Sequence, residues 1–140
     1  MREILFRGKT DDGKWVEGYF VPDCLESLKN RQVEWGFIRK YWIGEDKFTK
    51  HEVVEVERNT VGQFTGLTDK NGKKIFEGDI VTGRVLHSLP INAVVAFRNG
   101  SFGLLWDRAG AETFDAFPCL CNIEYEVVGN VHDNPELLED

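Results

Sequence analysis

Glu77 and Asp79 flank Gly78, and carboxylates two positions apart on an extended chain fall on the same side, as a general acid and its base would need. Such chemistry also requires a cleft that drives one pKa away from the other, and no sequence feature supplies it. The simpler role is to cap a turn by accepting backbone N–H bonds. Asp69, Asn71 and Gly72 look like the start of a calcium loop, yet Ile80 stands at the twelfth position, where a bidentate Glu belongs. Cys119-x-Cys121 offers two thiolates for zinc. Its remaining candidates, Cys24, His51, His87 and His132, are scattered at no paired spacing, which favours bystander thiols. Arg31, Arg39 and Lys40 interleave with Trp35, Tyr41 and Trp42, a mixture able to stack bases and neutralise phosphates, with core packing as the competing use of the aromatics. No metal, cofactor or catalytic set emerges from these residues.

The elements that must position such groups come from a chain of 140 residues, 41% hydrophobic and 12% aromatic. That length suits one domain or two small linked cores, burying roughly 68% of the unfolded surface. The formal net charge of −7 repels polyanions over most of the surface, so nucleic-acid binding is disfavoured outside a local basic patch. Residues 1–6 hold no extended apolar run and no window approaches a membrane span, which argues against secretion and membrane insertion. The 3 cysteines, an odd set, fit reduced thiols better than a disulfide framework, and Asn99-Gly100-Ser101 is then a hairpin turn rather than a glycosylation site.

Read in order, residues 3–8 and 14–21 flank Thr10-Asp11-Asp12-Gly13 and predict a first hairpin. Trp15, Glu17 and Tyr19 alternate with Val16, Gly18 and Phe20, so both faces carry bulk and one needs a partner layer. Residues 22–30 allow one or two helical turns, with Asp23 as N-cap. A second hairpin joins 33–43 to 51–57 through Gly44-Glu45-Asp46. A soft boundary near residue 60 separates an N-terminal hairpin region, 1–60, from a region 61–140. The second region holds short strands near 61–64, 79–87, 92–98, 101–106 and 124–131, a spacing that suits a small barrel. Asp69-Lys70-Asn71-Gly72 predicts a two-residue hairpin with positive φ at Asn71 and Gly72. Residues 107–122 read as a long loop, serving either as a lid that packs Phe114, Phe117 and Leu120 or as a functional segment.

One motif runs from Thr60 through Thr65-Gly66-Leu67-Thr68-Asp69-Lys70-Asn71-Gly72 to Phe76-Glu77-Gly78-Asp79-Ile80-Val81, and a second lies near the end of the chain, Tyr125-Glu126-Val127-Val128-Gly129-Asn130 followed by Asn134-Pro135-Glu136-Leu137-Leu138. Together with Arg2 to Arg7 and the cluster of Phe97, Gly100 and Phe102, these stretches resemble the YopX family of phage and prophage proteins, with 22–50 matching only loosely. The resemblance implies an all-β protein whose C-terminal part is similar to an SH3-like barrel, acting in the cytoplasm of a bacterial host, with no established activity and no catalytic residues to carry over. The motif positions Thr65, Gly66, Asp69, Asn71, Gly72, Glu77, Gly78, Asp79, Gly129, Asn130, Asn134 and Pro135 are expected to be structural.

Three functions follow as expectations. The first is a non-enzymatic accessory protein, an oligomeric scaffold or adaptor that contacts a host or phage protein, with the N-terminal hairpins pairing between copies. The second is a single-stranded nucleic-acid binder using Arg31, Trp35, Arg39, Lys40, Tyr41 and Trp42. The third is an acidic mimic of DNA that occupies a host protein, which needs carboxylates at phosphate-like spacing.

Overall fold

The computed structural model describes residues 4–21, 35–43, 45–83, 91–108, 111–116 and 125–139. Ten strands appear in chain order: β1 (Phe6–Lys9), β2 (Trp15–Val21), β3 (Trp35–Ile43), β4 (Thr49–Thr68), β5 (Lys74–Phe76), β6 (Asp79–Gly83), β7 (Ile91–Arg98), β8 (Ser101–Arg108), β9 (Ala111–Ala116) and β10 (Glu126–Asn130). A 3-10 turn, Pro135–Leu138, follows β10, with Pro135 opening it. The all-β expectation therefore holds among the described residues, and both sheets are antiparallel. The helical turns expected at 22–30 lie outside the described residues.

The chain divides into two compact units, Met1–Phe64 and Thr65–Asp140. In the first, β1 pairs with β2 and β4, β2 with β3, and β3 with β4, so the four strands pair in a closed circuit. Its interior is narrow. Ile38 and Val56 are fully buried, and a Cβ added at Gly8 would lie 2.7 Å from Val56 Cγ2. One added at Gly18 would lie 2.2 Å from the Arg39 carbonyl oxygen, so the closure depends on absent side chains.

β4 is one strand where the sequence reads two. Its register with β1 slips between Arg7, paired with Gly62, and Lys9, paired with Glu57. Thr60, 4% exposed, holds that irregularity: its hydroxyl accepts from the Lys9 N–H at 2.9 Å and donates to the Glu57 carbonyl at 2.6 Å. The charged run Glu55 to Arg58 looks like a strand end in sequence, but Glu55 and Arg58 are exposed positions of a continuing strand.

In the second unit, strands run in the order β10-β6-β7-β8-β9, and Ile75, Val81, Ala93, Val95 and Leu104 form the core beneath Trp106, Tyr125 and Val127. The hairpin turn read from Asn99-Gly100 joins β7 and β8 as a two-residue turn, with φ of 53° and 81°. The turn at 69–72 differs from expectation. Only Gly72 has positive φ there, and Gly72 N–H donates to Asp69 O at 3.0 Å while Asp69 N–H donates to Lys73 O at 2.8 Å, a three-residue loop closed by a left-handed glycine. Thr10 to Lys14 repeats these bonds at 3.1 and 2.8 Å around Gly13. β9 occupies part of the expected 107–122 loop, pairing Ala111–Ala116 with β8.

Candidate interaction surface

The polar motif residues cluster in the turns of the second unit. Asp69, 7% exposed, accepts three backbone N–H bonds: Oδ1 from Asn71 and Lys73, both at 2.9 Å, and Oδ2 from Val127 of β10 at 3.0 Å. Burial pushes its carboxyl up, but the three donors and the nearby Lys73 charge outweigh this and hold it below its ordinary value. Lys70 N–H adds a bond to Tyr125 O at 2.9 Å, and Lys70 Nζ lies 3.6 Å from Glu126 Oε2. Loop and strand are thus stitched together by one carboxylate and its neighbours.

Asp79, 1% exposed, accepts from Phe76 N–H at 2.8 Å across the β5–β6 turn, while Glu77 is half-buried. The turn is wedged between neighbours, with Gly78 N–H donating to Val95 O at 2.8 Å and Val131 N–H donating to Gly78 O at 2.9 Å. Thr65 Oγ1 donates to Ile75 O at 2.8 Å and accepts from Leu67 N–H at 3.1 Å, beside Gly66. After β10, Asn130 Oδ1 accepts from His132 and Asp133 N–H at 3.0 and 2.9 Å. Asn134 Oδ1 accepts from Asn130 N–H at 3.3 Å, and a Cβ on Gly129 would sit 2.6 Å from that same oxygen. What these groups do chemically is terminate strands and satisfy turn amides.

Among the basic and aromatic candidates, Trp35, Arg39, Lys40, Tyr41 and Trp42 all fall on β3, and Arg31 lies outside the described residues. Alternation separates Arg39 from Lys40, which is half-buried where Ile38, two residues before it, is fully buried. Arg39 is half-buried and registers with Tyr19 on β2 and Val53 on β4, which are 53% and 45% exposed. Tyr19, Arg39 and Val53 form a row across three strands, with Glu17 and Glu55 exposed on the same alternation and Phe48, 71% exposed, at the β3–β4 connection. Sequence reading missed Tyr19 and Val53 as surface residues, since the two-faced bulk of residues 15–20 calls for a covering layer. On β1 and β2, the Arg7 guanidinium lies over the Trp15 ring at 4.7 Å from its centre.

Near the same connection, the hydrogen bond from Lys50 and the Phe48 N–H lower the Asp46 carboxyl from its ordinary value. Among the described residues, no group of three His, Cys, Asp or Glu side chains is placed to hold a metal ion. Cys24, His87, Cys119 and Cys121 lie outside them. No helix among the described residues is long and apolar enough to cross a membrane.

Residues 6–139 match a protein-family model described as YopX protein. The crystal structure of protein EF1440 from Enterococcus faecalis is similar, at 26% identity and a TM-score of 0.57, over 99% of this chain and 100% of that one. Two cytochrome P450 monooxygenases, aba2 of Botryotinia fuckeliana (strain B05.10) and abl2 of Botryotinia fuckeliana, are each 26% identical over 109 residues, which is 71% of this chain and 20% of theirs. The chain thus spans about a fifth of the length of those two relatives.

Proposed function

The chain belongs to the YopX family, and from that premise we propose that it is a non-enzymatic interaction module, a scaffold or adaptor of phage or prophage origin working in the cytoplasm of a bacterial host. The SH3-like barrel expected of the second unit serves as its stable platform. The observation that carries this reading is the division of labour among its side chains. Asp69, Asp79, Thr65 and Asn130 direct their oxygens at backbone amides and carbonyls. The row of Tyr19, Arg39 and Val53 instead presents apolar area around a guanidinium on an outward sheet face. Such a face suits a protein partner or a second copy of the chain, because apolar contact around a few charges is what protein interfaces bury. The monooxygenase activity named for the two fungal relatives is left with those proteins, given the short shared segment.

The test pairs recovery with oligomeric state. Tagged protein taken from its host, with and without nuclease, should bring the same protein partner in both preparations, and Tyr19→Ser with Val53→Ser should lose it while keeping the thermal transition. Light scattering of the purified chain should give a mass above the 16.0 kDa of one copy. Retention of the partner by the folded double variant would defeat the assignment of this face.

A second reading, single-stranded nucleic-acid binding through β3, is favoured by Arg39 and Lys40 lying on the strand that carries Trp35, Tyr41 and Trp42. It predicts binding that weakens steeply with salt and is lost in Trp35→Ala with Arg39→Ala. Mimicry of DNA by carboxylates is the weakest of the three readings. Among the described residues, alternate carboxylates within a strand occur on β4, at Glu55 and Glu57, with Arg58 next in sequence.

A further inference from the structure

The chain contains two Asn-Gly steps in turns of different construction. At Asn71-Gly72 the Gly72 N–H donates to Asp69 O at 3.0 Å, the Asn71 N–H donates to Asp69 Oδ1 at 2.9 Å, and Asn71 Nδ2 reaches Glu126 Oε1 at 3.4 Å. Both the attacking nitrogen and the side-chain amide of a deamidation reaction are thereby engaged. At Asn99-Gly100 both residues are exposed at the tip of the β7–β8 hairpin, with φ of 53° and 81°. Among the described residues, no hydrogen bond engages the Asn99 side chain or the Gly100 N–H, and a Cβ placed on Gly100 would find nothing within 4 Å.

We propose that Asn99 is a site of spontaneous, structure-permitted modification: cyclisation onto Gly100 followed by hydrolysis to aspartate and isoaspartate, with Asn71 protected by its turn. The Gly100 backbone nitrogen attacks Asn99 Cγ, a new N–Cγ bond forms, the Cγ–Nδ2 bond breaks, and the nitrogen's proton leaves with the amide as ammonia. Solvent water then opens the succinimide at either carbonyl. No oxidant, metal or enzyme is required.

The position gives the reaction a consequence. The isoaspartate product adds a methylene to the main chain inside a two-residue turn that sets Arg98 opposite Ser101 and Phe97 opposite Phe102. The same register places Val95 opposite Leu104, 1% and 3% exposed, in the core of the second unit. Lengthening the turn works against that register. The hairpin is therefore expected to lose stability with age, without any change in sequence.

The experiment ages the full-length protein in mildly alkaline buffer, under native conditions and in denaturant, with peptide mapping that separates aspartate from isoaspartate. In the native protein, Asn99 should convert about tenfold faster than Asn71, the factor expected if roughly one net hydrogen bond must open first at Asn71. In denaturant the two rates should converge. Isoaspartate should exceed aspartate at Asn99, and the converted fraction should melt at a lower temperature than Asn99→Asp, which carries the same charge without the extra methylene. Equal native rates, faster conversion at Asn71, or aspartate as sole product would each overturn the proposal. A rate difference that persisted unchanged in denaturant would do so as well, because it would trace to sequence rather than to the turns.

Discussion

Asp69 does more for this molecule than its motif position reveals, because one oxygen organises its own loop and the other reaches a strand 58 positions away. Asp69→Ala leaves three amides without their acceptor, and bonds to a charged acceptor contribute about 1.5–3 kcal/mol each without adding fully, so a loss of about 3–5 kcal/mol is expected in urea melts. Asp69→Asn should cost less, about 2 kcal/mol, since its carbonyl can still serve Asn71 and Lys73 while its NH2 faces the Val127 N–H. The pH dependence has a definite sign. The folded carboxyl lies below its ordinary value, so as pH falls the unfolded chain takes up the proton first. The stabilisation is complete above about pH 5 and is lost as pH drops through about 4 and then through the folded pKa. The gap between wild type and Asp69→Asn should therefore narrow at low pH, and a gap of constant size would refute the account. Sequence made the capping half of this role legible, since Asp before Asn-Gly favours local amides. The bond to Val127 was not legible, because nothing local marks a partner so distant in the chain.

At the scale of elements, turn chemistry was the part most open to reading and strand extent the part least open. Asn99-Gly100 is the hairpin turn expected there, with positive φ at both residues, whereas Asn71 does not take the positive φ expected of it, because the Asp69 side chain stabilises a loop one residue longer. β9 went unread because Ala, Glu and Asp are weak strand formers, and its strand character comes from pairing with β8. The unbroken β4 went unread because it bends within a single strand at Thr60. That residue supports a sharp test: Thr60→Val keeps shape but removes an acceptor for Lys9 N–H and a donor for Glu57 O, costing about 1–3 kcal/mol, while Thr60→Ser should recover most of it. Equal stability of the Val and Ser variants would remove Thr60 from this role. Gly18→Ala probes the narrow closure of β1 to β4 differently. Its Cβ meets backbone rather than a flexible side chain, so a loss of at least about 2–3 kcal/mol is expected, read as a lowered midpoint for the first unit.

Across the whole molecule, the two units differ in what holds them. The second has a conventional apolar centre of Ile75, Val81, Ala93, Val95 and Leu104 with Trp106, Tyr125 and Val127 against it. Among its described residues, the first closes four strands over Ile38 and Val56, for which Gly18 and Gly8 leave room, with Phe64 as its other buried hydrophobic side chain. Chains of about 60 residues bury only about 60% of their unfolded surface and are marginal unless their cores are well filled. A fragment of residues 65–140 should therefore fold alone, with a cooperative thermal transition and a dispersed amide spectrum, whereas residues 1–64 should be largely unfolded at the same temperature. In the intact chain, β4 carries the backbone unbroken from Thr49 to Thr68 through the junction at Phe64 and Thr65. Hydrogen exchange should accordingly show amides of the first unit opening at lower free energy than those of β6 to β8, with protection along β4 rising towards Thr65. Independent folding of residues 1–64, or uniform exchange across both units, would show that the glycine-lined closure is more stable than its burial implies, and would turn attention to the outward row of Tyr19, Arg39 and Val53 as surface the isolated fragment covers by self-association.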